Sequence, residues 1–146
     1  MGKSDFTTAF SVEQSPKEVF DCINNVSDWW QGEIKGKTKK INDEFIYQME
    51  DIHFSKQKIV ELIPNEKVVW LITESNLSFT KDKSEWTGTK VIFDISEKKG
   101  RTEVRFTHEG LNPKFECYDA CSNAWGLLVQ KSLFSLITTG KGKKVF

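Results

Sequence analysis

The hydrophobic pattern is most regular late in the chain. From Lys114 to Thr139 the residues Tyr118, Cys121, Trp125, Leu128 or Val129, Ser132 or Leu133, and Leu136 recur at steps of three and four, the period of one helix face. Pro113 precedes this stretch and Gly140 follows it, the usual asymmetry of helix ends. A helix of about 25 residues is roughly 37 Å long and crosses a whole small domain. Its apolar face therefore needs a cover from the rest of the chain.

Upstream the pattern changes to period two. Asp5 to Val12 reads as a first strand, with Phe6, Ala9 and Phe10 apolar. Ser15-Pro16-Lys17-Glu18 is a capping box with proline at the first helical position, and Val19, Phe20 and Ile23 supply the apolar side of a helix ending near Asn24-Asn25. Ser27 caps a second short turn through Trp29 and Trp30. Adjacent positions on that turn imply that one tryptophan packs on the core and the other borders an entrance. Gly32 to Asp43 reads as turns with a short edge strand at Glu33 to Lys35. Phe45, Tyr47 and Met49 then alternate with polar residues, and Ile52 to Ile63 forms another strand, closed by Pro64-Asn65. Val68 to Thr73 is apolar on both faces, as a central strand is, while Asn76 to Trp86 reads as an exposed connection. Thr89 to Glu97 and Arg101 to Glu109 are paired strands about a Lys98-Lys99-Gly100 turn. Thr102, Val104, Phe106 and His108 share one face of the second. A strand, two helices, a meander and one long helix define an α+β domain, in which an antiparallel sheet with one dry face wraps the helix.

Charge narrows the function. Twenty-one basic and twenty-one acidic residues cancel, which gives no electrostatic reason to prefer nucleic acid. No stretch approaches the ~18 apolar residues of a membrane helix and no leading run resembles a signal peptide, so membrane insertion is not expected and the simplest location is the cytoplasm. Three cysteines fit a reduced compartment better than a disulfide framework. The 146 residues make one domain, with 141–146 as a flexible solvated tail.

Several stretches carry a resemblance. They are Glu85-Trp86-Thr87-Gly88-Thr89 with Phe93, and Thr102-Glu103-Val104 with Phe106-Thr107-His108-Glu109-Gly110-Leu111. They continue into Glu116-Cys117-Tyr118, Cys121-Ser122-Asn123-Ala124-Trp125, Ser132-Leu133, Leu136-Ile137 and Gly140. In this order the chain resembles the START-like (SRPBCC) superfamily and, within it, the family named after the activator of heat-shock-protein-90 ATPase, as one of its small bacterial single-domain members. The resemblance implies the helix-grip fold: a curved antiparallel sheet of about six or seven strands around a long C-terminal helix, with two short helices after the first strand. It also implies a cavity between sheet and helix, but no settled activity, because relatives include lipid and aromatic-ligand binders, cyclases and co-chaperone domains.

The chemistry-bearing residues give two readings each. His108 is either a structural histidine near its strand end or a polar anchor and proton acceptor at the cavity rim. Cys117 and Cys121 lie one turn apart, too few for a zinc site with only His53 and His108 elsewhere, and poorly placed for a disulfide. They are small buried hydrophobes, or redox-sensitive or ligand-contacting thiols. No phosphate loop, nucleophile elbow or metalloprotease motif occurs, and no acid–base carboxylate pair is forced by spacing. The first hypothesis is a binding module for an apolar or aromatic molecule, lipid-like or polyketide/flavonoid-like. Its cavity is walled by Tyr118, Cys121, Trp125 and Leu128 on the helix and by Phe45, Tyr47, Trp70, Phe93 and Phe106 on the sheet, with Trp30 at the entrance and His108 as anchor. It needs no cofactor or metal. The rivals are a co-chaperone-like interaction module with a chaperone partner, present as a monomer or weak homodimer, and an enzyme using His108 as acid/base.

Overall fold

The structure is a computed structural model that describes residues 6–30, 32–50, 53–78, 86–111 and 118–144. The strands are β1 (Phe6–Val12), β2 (Glu33–Gly36), β3 (Glu44–Met49), β4 (His53–Ile63), β5 (Lys67–Leu77), β6 (Lys90–Lys98) and β7 (Arg101–Glu109). They form one antiparallel sheet in the order β1-β7-β6-β5-β4-β3-β2. From β2 to β7 this is a meander. β1 closes on β7, with Phe6 opposite His108 and Val12 opposite Thr102. β5 stands fourth of seven, which explains its apolar residues on both faces. It runs through Leu77, further than its apolar stretch indicates, and Trp86, expected in an exposed connection, is buried.

Alternation sets the dry face. Thr102, Val104, Phe106 and His108 of β7 are all buried, as are Phe45 and Tyr47 of β3, Trp70 and Ile72 of β5, and Val91, Phe93 and Ile95 of β6. Each set is a period-two row, so a one-residue slip would turn it to solvent.

α1 (Pro16–Asn24) begins at the expected capping box: the Glu18 amide donates to Ser15 Oγ at 3.2 Å and the Ser15 amide to Glu18 Oε1 at 3.3 Å. Its buried face is Val19 and Ile23. α2 (Val26–Trp29) is one turn long. Here the expectation that Trp29 and Trp30 diverge fails. Trp30 leaves the helix in an extended conformation (φ −88°, ψ 147°), so its side chain turns inward beside Trp29. The rings stack 5.9 Å apart and both are buried.

The long helix is continuous but not uniform. α3 (Tyr118–Leu127) passes into a π-helical turn, Leu128–Leu133, and then α4 (Phe134–Thr139). The expected start at 114–117, including Cys117, lies outside the described residues. A π turn carries more residues per turn than an α turn. Neighbouring pairs therefore both reach the core: Leu128 with Val129, and Ser132 with Leu133. In the same turn Gln130 Nε2 donates to Thr8 Oγ1 (2.6 Å) and to the Ala9 carbonyl (2.8 Å), fastening the helix to β1. Gly140 ends α4 with φ +87°, the left-handed cap that suits glycine. Lys141, Lys143 and Lys144 are exposed, but the backbone there is tied: Ser135 Oγ donates to the Lys141 carbonyl (2.7 Å) and the Lys143 amide donates to Ser132 Oγ (3.2 Å). Among the described residues no helix is long and apolar enough to cross a membrane.

Candidate functional site

Between α3 and the sheet lies a pocket of about 170 Å³. Four aromatic side chains wall it: Trp30, Tyr47, Trp86 and Trp125. Trp30 stacks on Tyr47 at 4.5 Å and tilts against Trp125 at 5.4 Å, and Trp86 stacks on Trp125 at 5.8 Å. Met49 and His53 complete the sheet side. The helix side is Ala120, Cys121, Ala124 and Leu128. Positions 120 and 124 are one turn apart, so two methyl groups stand side by side where longer side chains would fill the space. Among the described residues the lining holds no Lys, Arg, Asp or Glu.

A hydrogen-bonded chain fixes two of these walls. The indole N–H of Trp125 donates to His108 Nδ1 at 3.0 Å. An indole nitrogen only donates, so Nδ1 is the acceptor and the ring's single proton sits on Nε2. Nε2 then donates to Thr89 Oγ1 at 2.8 Å, and the Thr89 hydroxyl donates to the Trp86 carbonyl at 2.6 Å. Every proton has one place to go. Gly110 lets β7 leave close to Thr89: at its φ of +105° a Cβ would come within 2.7 Å of Thr89 Cγ2. Burial, together with the neighbouring His53, lowers the His108 pKa to about 3.

His108 thus sits behind the pocket, fully buried, with both nitrogens engaged. This corrects the readings of His108 as rim anchor and as acid/base. It does not line the pocket, and a second ring proton would point at the Trp125 N–H. A polar row continues along β4. His53 Nε2 shares a 3.1 Å hydrogen bond with Ser55 Oγ, which also accepts from Gln57 Nε2 at 2.6 Å. Ser55 and Gln57 are buried, and burial lowers the His53 pKa to about 4. Burial likewise pushes the Tyr47 phenol up. At neutral pH both imidazoles and the Tyr47 phenol are therefore uncharged.

Of the residues expected at the site, Trp30, Tyr47, Cys121, Trp125 and Leu128 line the pocket together. Phe45, Trp70, Phe93 and Phe106 do not. They close the core behind it in edge-to-face contacts: Phe45–Trp70 and Trp70–Phe93 both at 5.1 Å, and Phe93–Phe106 at 5.2 Å. Tyr118 is partly buried against the core, outside the lining. Met49, His53, Trp86, Ala120 and Ala124 were not anticipated. His53 could have been found, since His53, Ser55 and Gln57 alternate on one strand face. Trp86 lacks a periodic context. No group of metal-ligating side chains is assembled among the described residues.

The fold and pocket define a helix-grip protein with an aromatic-lined cavity, and the architecture of solved structures agrees. One neighbour is the solution structure of an Aha1 dimer from Colwellia psychrerythraea: TM-score 0.75, 20% identity, 94% of this chain and 98% of that one. A second is protein SSP2350 from Staphylococcus saprophyticus: TM-score 0.70, 12% identity, 97% of each chain. A third is DynU16, from the dynemicin biosynthetic locus: TM-score 0.69, 13% identity, 98% of this chain but 50% of that one. These likenesses show a START-like helix-grip fold. No protein-family model and no curated protein matches the sequence.

Proposed function

We propose that this protein binds one small neutral ring, aromatic or compact and apolar, between α3 and the sheet. The observation that carries the reading is a pocket of about 170 Å³ bounded by four aromatic side chains and lacking charge in its described lining. A dry apolar cavity of about 150 Å³ is enough for benzene. Sites that enclose drug-sized molecules run from about 300 to 1,000 Å³. The inner pocket therefore suits one ring, not a whole lipid or flavonoid. An anion would lose its hydration there with no cation among the described lining residues to replace it. Apolar burial supplies the affinity, at about 25 cal/mol per Å² before the costs of association.

Titration with toluene or indole, followed by tryptophan emission and by the Trp125 indole N–H resonance, tests the reading. Saturable shifts are expected, and Ala124→Phe, which fills the pocket, should abolish them. Absence of any saturable change up to the solubility limit of both compounds would overturn the proposal.

A second reading rests on the likeness to the Aha1 dimer and on the sequence resemblance to the activator family. In it the chain is an interaction module with a chaperone partner, as a monomer or weak homodimer. Sedimentation velocity with and without the host's heat-shock-protein-90 separates the two readings. A co-sedimenting complex supports the second, and independent boundaries exclude it.

A further inference from the structure

The inner pocket has a neighbour. An open cleft of about 940 Å³ lies against α2, β2 and β3, and Trp30 and Met49 line both volumes. These two side chains are the boundary between the aromatic pocket and the wider, more polar cleft. They differ in freedom. The Trp30 ring is held by Tyr47 at 4.5 Å, Trp125 at 5.4 Å and Trp70 at 5.7 Å. Met49 is partly buried, unbranched and easily repacked. If the partition opens, Met49 is the leaf that moves.

The cleft has a built wall. After α4 the chain folds back along α2, held through Ser132. The Ser132 hydroxyl donates to the Trp29 carbonyl at 2.6 Å and accepts the Lys143 amide at 3.2 Å. The π-helical turn is what places Ser132 inward. Gly142 sits so close that a Cβ there would run into the Asp28 carbonyl oxygen. The resulting strap brings Lys143 and Lys144 into a lining that also holds Asp28, Glu33 and Glu50. Both signs of charge are present, so the cleft favours neither a net anion nor a net cation. It favours groups that hydrogen-bond.

We propose that the two volumes form one bipartite site. The ligand is an aryl compound with a hydrogen-bonding tail of no net charge. Its ring lies among the four aromatics, and its tail passes between Trp30 and Met49 into the cleft walled by the strap. This rests on the ring-binding reading above, and it assigns the outer cleft and residues 140–144 to the same ligand.

The test compares toluene, a ring alone, with phenyl glyceryl ether, a ring with an uncharged hydroxylated tail. The wild-type protein should bind both, with contacts in NMR spectra from ring protons to Trp125 and from glyceryl protons to the Met49 methyl. Gly142→Ala, which displaces the strap, should weaken the ether by about tenfold, the worth of one or two hydrogen bonds, and leave toluene unchanged. If toluene binds and the ether does not, the inner pocket is closed and the bipartite site is wrong while the ring-binding reading stands. If neither binds, both fall. If Gly142→Ala does not fold, the wild-type contacts decide alone: a bound ether without contact to Met49 overturns the proposal.

Discussion

The two halves of the long helix meet the sheet differently. Along the π-helical turn and α4, the residues Leu128, Val129, Ser132, Leu133, Leu136 and Ile137 are all buried. Along α3 only Cys121 and Trp125 are. The sheet alone does not explain the difference, since most of its inner face carries large side chains, from Phe45 and Tyr47 to Phe93 and Phe106, with Ser55 and Thr102 as small exceptions. The helix does. The π turn doubles the side chains that reach inward and seals one half. In α3, Ala120 and Ala124 hold back and leave the other half hollow. A pocket here is a property of the small residues on the helix, with the aromatics of the sheet as its backing. One half is predicted to behave as a packed core, the other as a site.

The largest effect belongs to the packed half. Phe93→Ala removes a fully buried ring with edge-to-face partners at Trp70 and Phe106. It should cost about 3–5 kcal/mol in urea unfolding, as ring deletions in closed cores do. A cost near 1 kcal/mol would mean that this half is as loosely filled as the other.

Close behind comes acid. Burial holds His53 near 4 and His108 near 3, against an ordinary value of 6.5. Between those values the unfolded chain binds protons that the folded chain refuses. Stability is therefore full above the ordinary value and falls as pH drops toward the folded values. With two such groups the loss from about pH 7 to about pH 5 is about 3–4 kcal/mol. His53→Gln should roughly halve that loss. Urea midpoints that stay level across this window would show that the histidines are not buried as described.

The third test separates the wall from the core. His108→Asn keeps a polar group beside the Trp125 N–H but cannot reach Thr89, which breaks the chain that ends at the Trp86 carbonyl. One buried partner left unpaired costs about 1–3 kcal/mol. The variant should also lose affinity for a ring ligand, because Trp86 and Trp125 are no longer set relative to each other. Unchanged affinity with reduced stability would mean that His108 matters to the fold and not to the pocket.

How far the sequence reads this division depends on the kind of signal. β7 and β5 were legible because a strand between a core and a neighbour must alternate or be apolar throughout, and Thr102 to His108 does the first. α1 was legible because Ser15, Pro16 and Glu18 each have one local job. The stretches around Trp86–Thr89 and His108–Leu111 carried the resemblance. The structure ties them to each other and to Trp125 through Thr89 and His108, and it seats Gly110 against Thr89. The pocket was only half legible, because a void is a difference between volumes on two elements. Steps of three and four mark Cys121 and Trp125 but cannot say that Ala120 and Ala124 face open space. The same steps accept an α or a π turn, so the pairs Leu128/Val129 and Ser132/Leu133 stayed undecided until the backbone resolved them. The stacking of Trp29 on Trp30 was not legible, because it depends on the helix giving way to an extended residue at Trp30.

The smallest expected effect sets the two halves against each other most directly. Ala124→Leu adds three carbons on the pocket side, where about 170 Å³ is open. Each buried carbon is worth about 0.8 kcal/mol if it finds space, less what overpacking takes back, so a net gain of about 1 kcal/mol is expected. Toluene binding should vanish with it. Val129→Phe enlarges a side chain by a comparable step in the sealed half, where Val129 is fully buried. It should cost about 1–3 kcal/mol, because a filled core answers extra volume with strained rotamers. Opposite signs in chemical denaturation, with ligand binding lost only in the stabilised variant, are what a half-hollow grip requires. Equal costs at both positions would mean that the helix is packed alike along its length and that the aromatic walls enclose nothing.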